Sequence, residues 1–358
     1  MKRFLFILIC FSLFSVSCKL EEMKETRELF PIRQNDRWGY IDKTGYVVIE
    51  PQFDDVADFS EGLAGILVDR KCGYIDKTGK IVIEPQFDVW TFNDIRMCNW
   101  EFSSFSEGLA MIKLDDKYGY INKSGKIVIE TKFSLASNFS EGLALILDED
   151  KWGYIDKTGK MVIEPQFHID SSFSEGLACV ATGWTNEKWG YIDKTGKVVI
   201  EPQFDDASNF HEELASVKID GKYGYIDKTG KIVIEPQFDI ACSFSEGLAC
   251  VIDFSDSINV PSKCGYVDKT GEVVIELQFA QASNFSEGLA LVQKSIGGID
   301  AKYGYIDKTG KMVIEPQFEY CSEDFRGGLA LVKEWDHVGE WKYGYINKGG
   351  EFVWKSSE

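Results

Sequence analysis

The chain has 358 residues, and its 44% apolar content is enough to bury a sizeable core, which excludes a disordered polymer. Asp and Glu outnumber Lys and Arg by 58 to 39, for a formal charge of −19. A surface that acidic repels phosphate backbones and anionic headgroups, so nucleic acid is excluded as a partner.

In chain order, the first element reads as an export signal of residues 1–17. Lys2 and Arg3 form a short positive start, and Phe4 to Val16 is an apolar run of 13 residues. That run falls short of the roughly 20 residues a bilayer-spanning helix needs. It ends at Ser15-Val16-Ser17-Cys18, which resembles a bacterial lipoprotein cleavage site, although Ser15 stands where Leu is usual. The resemblance implies cleavage before Cys18 and lipid on its thiol, with residues 18–28 as a polar tether. Lys19 after the Cys implies, by analogy with lipoprotein sorting, the outer membrane. The other reading of the leader is a plain secretory signal giving a secreted or periplasmic protein.

From residue 29 onward one unit repeats. An aromatic residue or Cys, then Gly-Tyr, begins at Trp38, Cys72, Tyr118, Trp152, Trp189, Tyr223, Cys264, Tyr303 and Tyr343. The intervals are 34, 46, 34, 37, 34, 41, 39 and 40, so the base period is 34. Each unit holds segment A (Leu-Ala-x-Val), segment B (Trp-Gly-Tyr-Ile-Asp), segment C (Lys-Ile-Val-Ile-Glu) and a linking loop. Segment C is Val- and Ile-rich and reads as a strand that stops at Pro51 or its equivalents. Asp-Lys-Thr-Gly at 42–45 joins B to C and predicts a type I turn with a Gly bulge. An uninterrupted register would place Ile41 opposite Val47, Tyr40 opposite Val48 and Gly39 opposite Ile49. Two Phe residues six apart, such as Phe53 and Phe59, are expected to pin the linking loop into the core. The Glu of the following Ser-Glu-Gly is expected to accept backbone hydrogen bonds.

The Lys-Trp-Gly-Tyr-Ile-Asp at 151–156 and 188–193, with Glu-Pro-Gln-Phe at 50–53, 84–87, 164–167, 201–204, 235–238 and 315–318, resembles the WG-repeat (KWG repeat) family of bacterial proteins. The resemblance covers nearly everything after residue 28 and implies a repeat type without naming an activity. Both faces of each B–C pair are apolar, so each sheet needs cover on both sides. The expected fold is all-β: nine three-stranded antiparallel meanders over 29–358, stacked as an open solenoid-like array. The alternative is a closed β-propeller-like ring. The open array is preferred because the chain starts and ends on whole units and shows no need to share strands between its ends.

The search for chemistry is empty. His168, His211 and His337 have no Cys or acid at metal-ligand spacing, and no nucleophile elbow or phosphate loop occurs. No cofactor and no metal is expected. Cys10 and Cys18 belong to the leader, and the remaining seven Cys are no disulfide framework. Cys72, Cys264, Cys179 and Cys250 occupy aromatic or Leu slots and read as core fillers. The variable segments are more informative. The A–B connection lengthens before Trp189, Cys264, Tyr303 and Tyr343, and the linker of the second unit carries 12 extra residues. In a stacked array equivalent loops line up along one edge. Trp184, Phe254, Ile258, Trp335 and Trp341 on the long A–B loops, with Trp90 and Trp100 in the insertion, are the candidate binding residues. The expected function is a non-catalytic binding or scaffold lipoprotein of the bacterial cell envelope, recognising a protein or glycan. The competing readings are a repeat-fold enzyme acting on carbohydrate, which needs convergent acids in one pocket, and a purely structural envelope spacer. Membrane contact is expected only through the lipid.

Replacing Cys18 by Ala is expected to move the protein from the membrane to the soluble fraction. Labelled fatty acid is expected on the wild type and not on the variant. Absence of label from the wild type removes the lipoprotein assignment.

Overall fold

The computed structural model describes residues 27–88, 103–148, 150–167, 169–182, 187–254, 263–294, 302–321, 324–335 and 341–356. These residues form nine small antiparallel sheets, one per repeat, and no helix. The fourth unit is representative. Strand A is Leu143–Asp148, strand B is Lys151–Asp156 and strand C is Met161–Phe167. Seven sheets gain a fourth strand of two residues from the preceding linker, here Leu135–Ala136 against Ile146 and Leu147. The linking loop is therefore partly sheet, which its mixed composition did not announce.

The B–C turn is as the sequence predicts. Gly159 has φ +81° and its N–H donates to the Asp156 carbonyl at 2.9 Å. Asp156 Oδ1 accepts from the Thr158 N–H and hydroxyl and from the Lys160 N–H. The carboxylate thus substitutes for solvent at three donors of the turn.

Beyond the turn the expected register fails. Ile41 does pair with Val47, but Tyr40 pairs with Ile49 and Trp38 with Phe53. A bulge after the first rung moves Ile49 onto the face of Tyr40, and both are buried, while Val48 is only half-buried. Strand C also runs through Pro51 to Phe53 instead of ending there. Pro51 sits in a second irregularity, where three residues of strand C, 50–52, stand against the single Gly39 of strand B and no ladder donor is required of it.

This second bulge accounts for the Gly of segment B. Gly153 has an ordinary φ, but a Cβ there would lie 2.6 Å from the Ile163 carbonyl oxygen and 2.8 Å from Pro165 N. The close approach comes from strand C of its own sheet and not from a neighbouring sheet. Seven of the other eight units crowd this position in the same way, and in the last a Cβ on Gly344 would meet the Phe352 ring and the Trp354 carbonyl oxygen.

The sheets stack face to face through apolar clusters. Leu143, Tyr154, Ile163 and Phe167 of one sheet meet Ala178, Val180 and Ile192 of the next, with Phe173 between them. Both linker Phe residues are buried in every pair the sequence singled out, such as Phe133 with Phe139 and Phe238 with Phe244. The stack does not remain open. A Cβ on the turn glycine of each unit would touch strand C of the unit before: Gly79 meets Ile49, Gly125 meets Ile83, and so on to Gly350 and Ile314. The ninth contact of the series is Gly45 of the first unit against Val353 of the last. Phe30, Ile32 and Ile41 pack on Leu329 and Tyr345, and the Tyr345 hydroxyl donates to the Pro31 carbonyl at 2.9 Å. The array is a closed nine-bladed β-propeller, which corrects the open solenoid. Closure needs no shared strand, because the first and last blades join through faces and side chains.

Gly153→Val is expected to lower stability by several kcal/mol, since the added carbon meets backbone that cannot move aside. Thermal unfolding checks this. A melting temperature unchanged from wild type would mean that strand C does not cross Gly153 as described.

Candidate binding face

The ring has two unlike ends. One carries the Ser-Glu-Gly turns and the B–C turns, and these lock neighbouring blades in a repeating pattern. Ser140 Oγ donates to the Phe173 carbonyl at 2.8 Å, and Ser60, Ser106, Ser174, Ser245 and Ser286 do the same one blade on. The last member, Arg326, reaches the Phe59 carbonyl and the Asp58 carboxylate, which closes the belt. Glu141 accepts from the Gly176 N–H at 2.9 Å and from Lys194 Nζ at 3.0 Å, both in the next blade. The belt Glu therefore does accept backbone hydrogen bonds, but from its neighbour's turn and not its own. It holds φ +54° to do so, a conformation that non-Gly residues adopt only when surrounding bonds impose it. Partial burial pushes Glu61, Glu141, Glu175 and Glu287 upward, but the lysine and amide donors outweigh it and hold all four below the usual carboxylate range.

The opposite end carries the A–B hairpins. The short ones are two-residue turns with both φ positive, as at Asn35-Asp36, Asp69-Arg70 and Asp115-Asp116. The long ones leave from the same rungs, Thr182 with Lys188, Asp253 with Lys263 and Lys294 with Lys302, and the last passes Glu334 with Lys342 to end one rung further out at Trp335 with Trp341. The geometry thus brings the four lengthened connections to one end of a closed ring. Phe254 is 51% exposed there, and its N–H donates to Asp239 Oδ2 at 2.6 Å. Lys222 and that amide hold Asp239 below its usual range, which ties the root of the loop down. Trp335 and Trp341 form the outermost rung of the last hairpin. Trp184, Ile258, Trp90, Trp100 and Cys18 lie outside the described residues.

A repeat model described as "WG containing repeat" matches residues 38–72, 73–91, 101–118, 118–152, 152–183, 189–223, 223–252, 265–295 and 303–334. The chain belongs to the WG-repeat family. No curated protein matches the sequence. Among solved structures, the chain is similar to a eukaryotic initiation factor at 12% identity and a TM-score of 0.65, covering 92% of this chain and 96% of that one. It is also similar to Porphyromonas gingivalis dipeptidyl peptidase 4, at 8% identity and a TM-score of 0.54, covering 84% of this chain and 59% of that one. At such identities these likenesses establish the fold alone.

The hairpin end of this WG-repeat protein also holds a group that sequence reading missed. Lys333 Nζ lies 4.6 Å from the ring of Tyr320 and 4.8 Å from that of Tyr343, and the two tyrosines are 48% and 41% exposed. Tyr320 belongs to a two-residue linker strand, Lys333 to strand A and Tyr343 to strand B, so the three form one row across the last blade. The signal was present in the aligned copies: Tyr320 stands where other linkers have Asp55, Leu135, Asp206, Ile240 or Gln281. The sixth blade has a related row in which the Tyr223 hydroxyl donates to Asp206, and burial followed by that bond pushes Tyr223 up to about 12.

Because the belt glutamates titrate below their unfolded value, the stability they contribute is fully present above about pH 4.3 and is lost as pH falls through their folded values. The melting temperature is expected to hold down to about pH 5 and then to fall. Changing Glu61, Glu141, Glu175 and Glu287 to Gln together is expected to lower the neutral-pH plateau and make the acid limb shallower. An acid limb of unchanged slope would assign the loss to other groups.

Proposed function

We propose that this WG-repeat propeller is a non-catalytic binding or scaffold lipoprotein of the bacterial cell envelope, which recognises a protein or glycan through its hairpin end. The observation that carries the reading is the division of labour between the two ends. The belt end is nearly uniform from blade to blade and is occupied by inter-blade bonds. The hairpin end collects the length variation, the exposed Phe254 and the Tyr320–Lys333–Tyr343 row. Exposed aromatic and cationic groups on a rigid frame are the side chains that partner recognition uses most. The recurring turn acids are engaged: Asp76, Asp156, Asp193, Asp227, Asp268 and Asp307 each serve the turn that they begin.

An anchor at Cys18 fits this polarity. Strand A of the first blade begins at Leu29, on the belt end, and runs toward the hairpin end. A lipid joined through residues 18–28 would leave the hairpin end facing away from the membrane.

The test is capture from envelope extracts by the mature protein. Changing Trp184, Phe254 and Trp335 together to Ser is expected to abolish capture of the wild-type partner with a melting temperature within a few degrees of wild type. Full capture by a folded triple variant would place recognition elsewhere, and unfolding would make these side chains core residues. Capture of nothing by the wild type favours the structural spacer.

A further inference from the structure

The seventh blade gathers three cysteines: Cys250 and Cys264 fill the apolar cluster between the seventh and eighth blades, as their Leu and aromatic slots imply, and Cys242 packs against it. Its two-residue linker strand is Ile240–Ala241, its strand A is Leu248–Asp253 and its strand B is Lys263–Asp268. The Cys242 N–H donates to the Cys250 carbonyl at 2.9 Å, which sets these residues opposite each other on neighbouring strands. Cys264 pairs with Ile252 and lies diagonal to Cys250 on the next strand. Cys250 Sγ donates to the Ala282 carbonyl at 3.6 Å and Cys264 Sγ to the Ala280 carbonyl at 3.7 Å. Cys250 and Cys264 are buried, and Cys242 is half-buried.

The repeat supplies a ruler for this pair. The positions equivalent to Cys242 and Cys250 are Ser171 and Cys179 in the fifth blade, whose Oγ and Sγ lie 3.1 Å apart. In the sixth blade they are Ser208 and Ser216, with oxygens 2.9 Å apart. This slot therefore holds two side-chain heteroatoms in contact, and only the seventh blade fills both with sulfur. In the fifth blade the Ser171 hydroxyl also donates to Asn209 at 2.5 Å. The equivalent Asn284 Oδ1 is buried with no partner, alone among the described residues. The buried thiols of the seventh blade donate to backbone carbonyls, and none serves this amide oxygen. Among the described residues no three His, Cys, Asp or Glu side chains converge as a metal site requires, these thiols included.

We propose that Cys242, Cys250 and Cys264 form a thiol–disulfide exchange site, whose oxidant is a small-molecule or protein disulfide. The half-buried Cys242 is the point of entry. Its thiolate attacks one sulfur of the oxidant RSSR, the S–S bond breaks, and RS⁻ leaves to take up the Cys242 proton as RSH. Cys250 then attacks Cys242 Sγ, the mixed disulfide breaks, and a second RS⁻ leaves with the Cys250 proton. Two thiol hydrogens and two electrons have passed to the oxidant, which departs as two RSH, and the linker strand is bonded to strand A. Cys264 is placed to attack Cys250 Sγ and move the disulfide inward, releasing Cys242 as a thiol. Cys250 beside it holds Cys264 below the usual thiol value, whereas its two thiol neighbours and burial push Cys250 up, so Cys250 gives up its proton only as the leaving RS⁻ takes it.

The experiment treats the folded full-length chain with oxidised glutathione, blocks the remaining thiols and digests with trypsin. Cys242 and Cys250 share the peptide 232–263, which has no internal Lys or Arg, and Cys264 opens the next peptide. The expected product is peptide 232–263 lighter by two hydrogens, or the same peptide joined to 264–269. Cys250→Ser, which installs the residue Ser216 supplies in the sixth blade, is expected to stop at a glutathione adduct on Cys242 with its melting temperature preserved. Wild-type protein in which both cysteines stay free, or in which Cys242 keeps the glutathione, overturns the proposal. A Cys242–Cys264 bond in the Cys250→Ser variant overturns it as well, because Cys250 would then be dispensable.

Discussion

A three- or four-stranded sheet with two apolar faces cannot fold alone, and one tyrosine per blade fastens it to its neighbour. Tyr154 lies buried on the face of the fourth blade, with its ring 4.9 Å from Phe173 in the linker beyond. Its hydroxyl donates to the Ser171 carbonyl at 2.6 Å. The same contact joins Tyr40 to Ala57, Tyr120 to Ser137, Tyr191 to Ser208, Tyr225 to Cys242 and Tyr266 to Ser283. A buried phenol without an acceptor would forfeit about 1–3 kcal/mol of what its ring contributes, which favours bringing the linker carbonyl to the tyrosine. Burial pushes these phenols well above their ordinary range, which keeps them donors at any pH the protein meets. The linker carbonyl and the linker Phe are therefore fixed together, and with them the start of the next blade.

The seam of the ring follows the same logic with different residues. Tyr345 has no linker Phe of the usual kind beyond it. It packs on Phe30 at 5.5 Å and donates to Pro31. Arg326, in a Ser position, spans to Asp58 and Phe59. The blades elsewhere share a repeated contact, whereas the seam is assembled from residues that occur once. Sequence self-comparison finds what repeats, so the contact that closes the ring was the least visible to it.

The two ends of the ring divide stability from individuality. At the belt end every Glu is spent on an amide and a lysine of the next blade, and change there disturbs two blades at once. At the hairpin end, a loop is anchored by its own two strands and by a linker carboxylate of the same sheet, as Asp239 holds Phe254, so its length and composition vary without cost to the stack. The clearest candidate contact at that end, Lys333 between Tyr320 and Tyr343, spans three strands of one sheet. Phe254 was legible from the sequence because it stands in an inserted loop. The tyrosine pair was not, since Tyr343 occupies the regular aromatic position before Gly, which is buried or half-buried in the other units.

The sequence by itself determined the repeat, its nine copies, the order of strands A, B and C, the Asp-Lys-Thr-Gly turn and the burial of the paired Phe residues. These depend on local backbone preference and on which residues recur, and both are written in a single unit. Only the tertiary structure decided the register of strand C, because the bulge beside Gly39 and its equivalents arises from the crossing of Glu50-Pro51-Gln52 over strand B. It also decided that the array closes. Closure depends on the small rotation from each blade to the next, summed around nine interfaces. That rotation is set by the fit of Tyr, Ile and Phe between faces, and no pattern of apolar and polar positions encodes it.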